Sequence, residues 1–562
     1  MLQEKQLKEI ETMFASVPNV SFVGKVGVAY ILLLARENNC FDIASIPEFT
    51  RKYIDDELVC QSLCSELPEK HWNSYYRKRI TDFDTDSLRR YILDANISPK
   101  GAEALPPAIA KIVLHTLQCK PRETLADMGV GFGGFLQEAY KALPGIKFFG
   151  VDSNADAAVV SRIKAKVSGV ESEIEQNDLF SIIPCFYRFE KIFCFPPFGS
   201  TKSMERKIIE FMPAMPEGLP SLKMTFSAEW LFAIRCIVDF SSSESRATVI
   251  MTNGALSNLS DSPIRKYFVE RGMIESVISL PAGLLQWTSI PLNIVVFSNG
   301  NSAVRMVDAR DLGVKNRRNA ELTDQDVETV IARLNSGDEK YVKSIPVEDI
   351  LKEDSVIYPE RYLCTRAPLE YEVKFGDVIE SITRGAALTA KQLDDLESKE
   401  STDICYLGLR DISSSGIISE ELPCLKKLDR SAERSVLREN DLVISKIGNP
   451  MRVALAQNLR KRQIVVSANM FIVRLKEKLA NPVYIKAFLS SEIGLSLLKS
   501  VAVGSTISCI SAEALKNMPI SLPPMERQQE IANRYLAKLD EIEILKRKLD
   551  KAVGSLSSLL NI

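Results

Sequence analysis

Four short stretches carry residue types that could do chemistry, and one fold could bring them together. "LADMGVGFGGFLQEAY" (125–140) is an apolar run closed by Asp127, then a loop holding Gly129, Gly131, Gly133 and Gly134, then a helix-like segment. Glycines in such a loop permit tight turns and let a ligand approach the backbone; the plain alternative is a structural turn. Next, "FFGVDSNADAA" (148–158) ends an apolar run on Asp152, where a carboxylate can accept both ribose hydroxyls of an adenosine-containing ligand. "NDLF" (177–180) then places Asp178 and Phe180 to meet an adenine ring. Last, "KIFCFPPFGS" (191–200) stops a strand-like run at Pro196 and Pro197, bracketed by Phe195 and Phe198. Neither proline can donate to a ladder, so the strand ends there and the loop is stiff. That loop is aromatic and has no obvious hydrogen-bonding side chain.

The positioning elements follow from the pattern around these stretches. From 100 to 310, short apolar runs ("TLADMG", "IKFFGVD", "KIFCF", "ATVIMT", "IESVISL", "NIVVFS") alternate with helical stretches. That alternation predicts an α/β fold with a parallel, doubly wound sheet that binds its ligand at the carboxyl ends of the strands. Residues 1–99 read as a helical N-terminal domain, and 311–370 as a charged connector. Residues 371–524 are rich in strand-like pieces. The segment 525–562 carries Tyr535, Leu539, Ile542, Leu545, Leu549, Ala552, Leu556 and Leu559 at spacings of three and four, one stripe on a long helix.

Composition bounds the rest. With 562 residues, 46% of them hydrophobic and 26% charged, the chain is expected to form about two to four globular domains. A net charge of −2 means that a polyanionic partner must be met by local basic patches. Two histidines, His71 and His115, argue against metal or triad chemistry built on histidine. Eleven cysteines without a CxxC pair fit reduced thiols in a cytoplasm. The apolar run Val26 to Ala35 is too short to span a bilayer, so the expectation is a soluble, cytoplasmic protein with no metal and no membrane partner.

In combination, the four stretches resemble the N6-adenine DNA methyltransferases, specifically the modification subunits of type I restriction systems. That family's first motif runs Asp-Pro-x-x-Gly-x-Gly-Gly-Phe-Leu, and "DMGVGFGGFL" (127–136) fits the same frame, with Met128 in place of the proline. "LPPAIAKIV" (105–113) is similar to the family's Thr-Pro-x-x-Ile segment, with Leu105 for the threonine and Pro106 retained. The resemblance continues through "SAEWLFAIRCIV" (227–238) and the "LPAG" turn (280–283). It implies a Rossmann-like methyltransferase domain, with S-adenosyl-L-methionine (SAM) in the glycine loop, Asp152 on its ribose, and Asp178 with Phe180 around its adenine.

The last third resembles one half of a type I specificity subunit, an α+β target-recognition domain followed by one spacer helix. The resemblance rests on "FGDVIESITRG" (375–385), "DLVISKIGNP" (441–450) and "GSTISCISAEALKNMPISLPPMERQQEIA" (504–532). Arg384 falls in the first of these segments. "SKIGNPMR" (445–452) and "NLRKRQ" (458–463) supply Lys446, Asn449, Arg452, Arg460, Lys461 and Arg462 as candidates for double-stranded DNA. Lys and Arg give the salt-dependent phosphate term, and Arg or Asn can read base edges; the plain alternative is solvated hairpin tips. A single spacer helix points to a homodimer presenting two recognition domains by two-fold symmetry, the alternative being that the helix packs on its own chain. No nuclease motif and no phosphate-binding GxxxxGK[ST] loop is present, so cleavage would belong to a separate nuclease subunit.

The resemblance also defines a departure. Where the family's fourth motif begins Asn, Asp or Ser before Pro-Pro-aromatic, this chain has Phe195. In the family the target adenine is flipped into the pocket, the aromatic stacks on it, and the first side chain and a proline carbonyl accept its N6 hydrogens. Here Phe198 can stack and the Pro196 carbonyl can accept, but the side-chain acceptor is missing. Two readings stand: a sequence-specific adenine methyltransferase of a restriction-modification or phage-defence system, or a pseudo-methyltransferase that recognises DNA or senses SAM without transferring a methyl.

Overall fold

In the computed structural model of the protein the described residues are 2–16, 20–67, 72–94, 105–120, 122–181, 189–198, 218–219, 226–239, 241–285, 288–315, 319–363, 369–398, 400–413, 416–419, 421–428, 430–448, 451–459, 462–502 and 509–558. The chain divides into two units, Met1–Leu363 and Cys364–Ile562.

The first unit begins with helices α1 (Leu2–Ala15), α2 (Phe22–Glu37), α3 (Ile46–Tyr53), α4 (Glu57–Glu66) and α5 (Thr85–Asp94). There follow α6 (Pro107–Leu117), β1 (Thr124–Met128), α7 (Gly134–Ala142), β2 (Lys147–Asp152), α8 (Ala155–Ser168), β3 (Ser172–Gln176) and β4 (Phe189–Cys194). The order continues with α9 (Ala228–Ile234), β5 (Ser241–Thr252), α10 (Ser262–Glu270), β6 (Ile274–Ser279), β7 (Leu292–Phe297), β8 (Ala303–Asp308), α11 (Asp324–Asn335) and β9 (Val342–Pro346). The nine strands form one sheet in the order β9-β8-β6-β7-β5-β4-β1-β2-β3.

From β3 to β5 neighbouring strands are parallel, and the chain order reverses between β1 and β4. A crevice opens at such a switch point, outside the carboxyl ends of the two strands. Apolar side chains from both faces of the sheet fill two cores. One includes Met128, Ile192, Trp230 and Phe268, and the other Ile109, Leu125, Phe135 and Phe193.

Three expectations need correction. The sheet is mixed rather than all parallel, because β7 runs antiparallel between β5 and β6, and β9 runs antiparallel to β8. The physical reason is the connection from β6 to β7, which has no helix among its described residues; a parallel return needs a crossover. The segment 311–363 is no connector, since β9 joins the sheet and α11 packs on α6, where Lys111 meets Asp324 at 2.5 Å. Nor does the N-terminal helical segment have a core to itself. Val159, Val160 and Ile163 of α8 complete the cluster formed by Val26, Ile31, Leu63, Trp72 and Leu88.

The second unit holds two four-stranded sheets. One runs in the order Ile379–Arg384, Met470–Leu475, Leu442–Ser445, Val453–Leu455; the other runs Glu397–Ser398, Cys424–Leu425, Ile404–Leu407, Gln463–Val466. The chain then enters a helix of 34 residues, Met525–Ser558. Its start is anchored by the buried Gln528, which donates to the Leu479 and Pro523 carbonyls and accepts from the Asn481 N–H. Tyr535 lies under the Lys486 ammonium at 5.4 Å. Further along the same stripe Ile542, Leu545 and Leu549 are 39, 57 and 63% exposed, so only the first part of the stripe is covered by its own unit. Among the described residues no helix is long and apolar enough to cross a membrane, and no group of three or more His, Cys, Asp or Glu could hold a metal ion.

Candidate active site

The glycine loop hangs from the carboxyl end of β1 by hydrogen bonds to the neighbouring strand. Gly129 and Val130 N–H groups both donate to the Val151 carbonyl at 3.0 Å. Gly129, Gly131 and Gly133 have φ of 126°, 52° and 75°, conformations that side chains rarely adopt. A Cβ on Gly131 would find nothing nearer than the Gly129 carbonyl at 4.0 Å, so the loop is open at its crest.

Asp152, at the end of β2, organises the loops on both sides of it. Its Oδ2 accepts from the Gly131 N–H at 2.9 Å, its Oδ1 from the Asn154 N–H at 2.9 Å, and its carbonyl from the Asn177 N–H at 3.0 Å. Asn177 leads to Asp178, whose Oδ1 accepts from the Phe180 N–H at 3.0 Å. Phe180 meets Phe232 edge to face at 5.1 Å, and the Leu179 carbonyl between the two site residues is held by the buried Arg235 at 3.0 Å. Three of the four stretches are therefore one hydrogen-bonded assembly.

Asp127 sits beneath them, 1% exposed, with Oδ1 lacking any hydrogen-bond partner. Burial, and then the nearby Asp152 carboxylate, push its carboxyl well above the usual range. A buried acceptor without a partner is costly, so this atom is a vacant hydrogen-bonding position at the floor of the crevice.

The fourth stretch closes the crevice from β4, which pairs with β1 so that Phe193 stands beside Asp127. Cys194 Sγ–H donates to the Met128 carbonyl at 2.9 Å, tying the two strand ends together. A Cβ on Gly129 would lie 3.6 Å from the Phe195 carbonyl oxygen, so glycine loop and proline loop are in direct apposition. Phe195 and Phe198 meet edge to face at 5.6 Å, and both pack with Leu105 on the core cluster that holds Ile109 and Val130. Pro106 caps α6 beside Leu105, its carbonyl accepting from Ile109 and Ala110. Pro196 is buried and Pro197 exposed.

Sequence reasoning missed a polar network along the same edge of the sheet. Ser279 Oγ–H donates to Asn293 Oδ1 at 2.7 Å, Asn293 Nδ2–H to Asn253 Oδ1 at 2.8 Å, and Asn253 Nδ2–H to the Tyr358 hydroxyl at 3.3 Å. Tyr358 donates to Glu360 at 3.0 Å, and Arg310 joins that carboxylate to Asp308 at 2.5 and 2.6 Å. The signal was a polar residue at or just after the end of each of β5, β6 and β8, namely Asn253, Ser279 and Asp308, which lie far apart in sequence.

In the second unit Arg384, Lys446 and Arg452 come together at one end of one sheet. Arg384 is opposite Phe471, Ser445 is opposite Met470, and the Ser445 N–H donates to the Arg452 carbonyl. Arg384 is exposed, with Nε–H on the Ala468 carbonyl at 3.2 Å. Arg452 departs from its expected role as a projecting DNA contact: its Nη1 donates to the Leu409 carbonyl at 2.9 Å and to that of Ile412, bracing that turn. Arg462 precedes the strand Gln463–Val466 of the other sheet, at the end away from Ser467 and hence from this edge. Asn449, Arg460 and Lys461 lie outside the described residues.

Residues 91–370 match the N-6 DNA Methylase family, and residues 368–553 match the Type I restriction modification DNA specificity domain. The chain is similar to the Type I restriction enzyme MjaVIII methylase subunit of Methanocaldococcus jannaschii, 22% identical over 317 residues, or 51% of this chain and 53% of that protein. It is also similar to the Type I restriction enzyme HindI methylase subunit of Haemophilus influenzae, 20% identical over 308 residues, or 50% of this chain and 68% of that protein. The chain thus spans about half the length of the first of these relatives. Among solved structures, the type IIL restriction-modification enzyme MmeI in complex with DNA aligns over 96% of this chain and 90% of its own, with TM-score 0.50 and 12% identity. Likeness at that identity concerns the fold alone.

Proposed function

We propose that this chain, which belongs to the N-6 DNA methylases and joins that region to a type I DNA specificity domain, is a sequence-specific, SAM-dependent adenine-N6 methyltransferase of a restriction-modification or phage-defence system. The observation that carries the reading is the single assembly of glycine loop, Asp152, Asp178 and proline loop at the switch point. Cytoplasmic action on double-stranded DNA belongs to the same reading.

The residues present fit S-adenosyl-L-methionine. The loop crest is open above Gly131, Asp127 Oδ1 is vacant, and Asp152 retains lone pairs beyond its two backbone donors. Gly129, Gly131 and Gly133 would line the cofactor's backbone side. Asp152 would accept its ribose hydroxyls, and Asp178 with Phe180 would hold its adenine. Bound there, the cofactor supplies an electrophilic methyl on a sulfonium.

The rest falls to the chain. Phe198 stacks on the target base, and the Pro196 carbonyl accepts one amino hydrogen. Such a site works by positioning and fixed dipoles. Phe195 contributes no side-chain acceptor, and the absence of one preorganised group costs about 2.7–4 kcal/mol, roughly 10²–10³ in rate. The proposed enzyme is therefore slow. Phe195 equally favours a second reading, a pseudo-methyltransferase that binds SAM and DNA without transfer.

Arg384 and Lys446 supply the phosphate term of DNA binding. The exposed stripe Ile542–Leu545–Leu549 pairs with the same stripe of a second copy, giving a homodimer with two recognition domains. Cleavage of DNA falls to a separate nuclease subunit. The test is transfer of radiolabelled methyl from SAM to a random-sequence duplex pool, with SAM binding measured in parallel. Label in N6-methyladenine supports the enzyme; binding without label selects the pseudo-enzyme; absence of both overturns the proposal.

A further inference from the structure

We infer that the N-terminal helical region is part of the cofactor site, with Phe22 acting as a positioning residue for the glycine loop; the cofactor half of this inference rests on the reading above. Glycine lets the loop adopt its left-handed turns, but it also leaves the loop many other conformations. Something outside the loop must select one of them.

Phe132 provides the handle. It lies between Gly131 and Gly133, and its ring meets that of Phe22 edge to face, with centroids 5.2 Å apart and planes at 87°. Phe22 is not on a frayed end. It is the first residue of α2, whose cap Ser21 accepts from the Gly24 N–H at 2.9 Å, and the next residues, Val23 and Val26, are buried in the helical core.

A second connection runs through α8, the helix that follows Asp152. Toward the helical region it presents Val159, Val160 and Ile163, and Arg162 Nη1 lies 3.0 and 3.2 Å from the two oxygens of Asp56, the residue that caps α4. Toward the loop it presents Ser161, whose hydroxyl donates to the Gly131 carbonyl at 2.6 Å. Lys164 stands so that its Cδ would be 3.5 Å from a Cβ on Gly133. Gly131 is thus held at its N–H by Asp152, at its carbonyl by Ser161, and through the next residue by Phe22. The helical region touches the loop directly and also through α8, and an ordered loop binds its ligand without first losing that freedom.

The experiment uses the full chain. SAM affinity is measured by titration calorimetry for wild type, Phe22→Ala, Phe132→Ala and the double variant. Amide exchange of residues 129–134 is followed without ligand. Phe22→Leu keeps apolar burial while losing the edge contact, and Phe22→Tyr keeps the ring. The expected result is a loss of about three- to tenfold in affinity for each alanine variant, the double variant no weaker than either single one, faster exchange in the loop, and recovery in Phe22→Tyr. Wild-type affinity and exchange in Phe22→Leu, with only a lower melting temperature, would overturn the inference. If the wild type binds no SAM, the cofactor reading fails. Amide exchange then decides the positioning role alone: unchanged loop protection in Phe22→Ala ends it, and faster exchange keeps it.

Discussion

Gly129 faces the carbonyl of Phe195 so closely that a Cβ on the glycine would lie 3.6 Å from that oxygen. This apposition puts the glycine loop of one strand and the proline loop of its neighbour on the two sides of one crevice. It also sets what each substitution there should do.

Gly129→Ala should fail for a conformational reason. With φ at 126° the alanine is strained whatever space it has, and such a residue costs about 1–3 kcal/mol. Urea unfolding should show that loss, and SAM affinity should fall with it. Gly134→Ala is the control: it lies at the start of α7 with nothing within 4 Å of its Cβ, so its stability should be unchanged or slightly raised.

Phe195→Asn should restore an acceptor at the first position of the proline loop. If the loop geometry holds, methyl transfer rises by roughly 10²–10³ while SAM affinity is little changed. Because Phe195 packs against Phe198 and the core beneath, the variant should also lose about 1 kcal/mol of stability. Single-turnover transfer, beside the melting temperature, separates the two effects.

Asp127 gives a pH dependence of definite sign. Its carboxyl is raised by burial and by Asp152, so its share of stability is full below the ordinary carboxylate value and is lost as pH rises toward the raised one. Asp127→Asn has no proton to lose. The melting temperature of the variant relative to wild type should therefore climb as pH is taken from about 4 upward, and its SAM binding should be weaker throughout. A constant difference across that range would refute the assignment.

At the proposed DNA-binding edge, Arg384→Ala and Lys446→Ala should weaken DNA binding similarly across sequences, each lowering the salt slope by about one. Arg452→Ala should behave differently. Its guanidinium braces the Leu409 and Ile412 carbonyls, so the first loss is in the stability of the second unit. Fluorescence anisotropy at several salt concentrations, with unfolding curves, distinguishes the two behaviours.

Leu545→Glu and Leu549→Glu place charge on the exposed stripe of the terminal helix. Light scattering should show a dimer for wild type and a monomer for the pair of substitutions; at concentrations low enough for the wild type to dissociate, the melting temperatures should coincide, since both side chains are exposed in the single chain.

Much of the first unit was legible because its chemistry is local. Asp127, the glycines, Asp152 and Asp178 each lie at or just beyond the end of a strand, where period and punctuation mark them. What depends on pairing between distant residues was not legible. Nothing near Phe22 announces Phe132, and β7 looks like any other apolar strand until its connection, without a helix among the described residues, is seen to return it antiparallel to β5 and β6. Residues 311–370 read as a connector because their many charged residues mask buried positions such as Val327, Val330 and Val342 that tie the segment to the sheet. Arg452 shows the same limit in a side chain: composition marks a cation but not whether neighbouring carbonyls already hold it.

The terminal helix is 34 residues long and is gripped near its first turn by Gln528. The helix stays packed on its own unit at least as far as Tyr535 under Lys486, and at about 1.5 Å per residue the remainder extends roughly 35 Å. It therefore acts as a lever whose fulcrum is the packed stretch from Gln528 to Tyr535, where each degree of tilt moves the far end by about 0.6 Å. A tilt of a few degrees from repacking around Leu479, Asn481 and Lys486 would displace the helix end by roughly 2–3 Å.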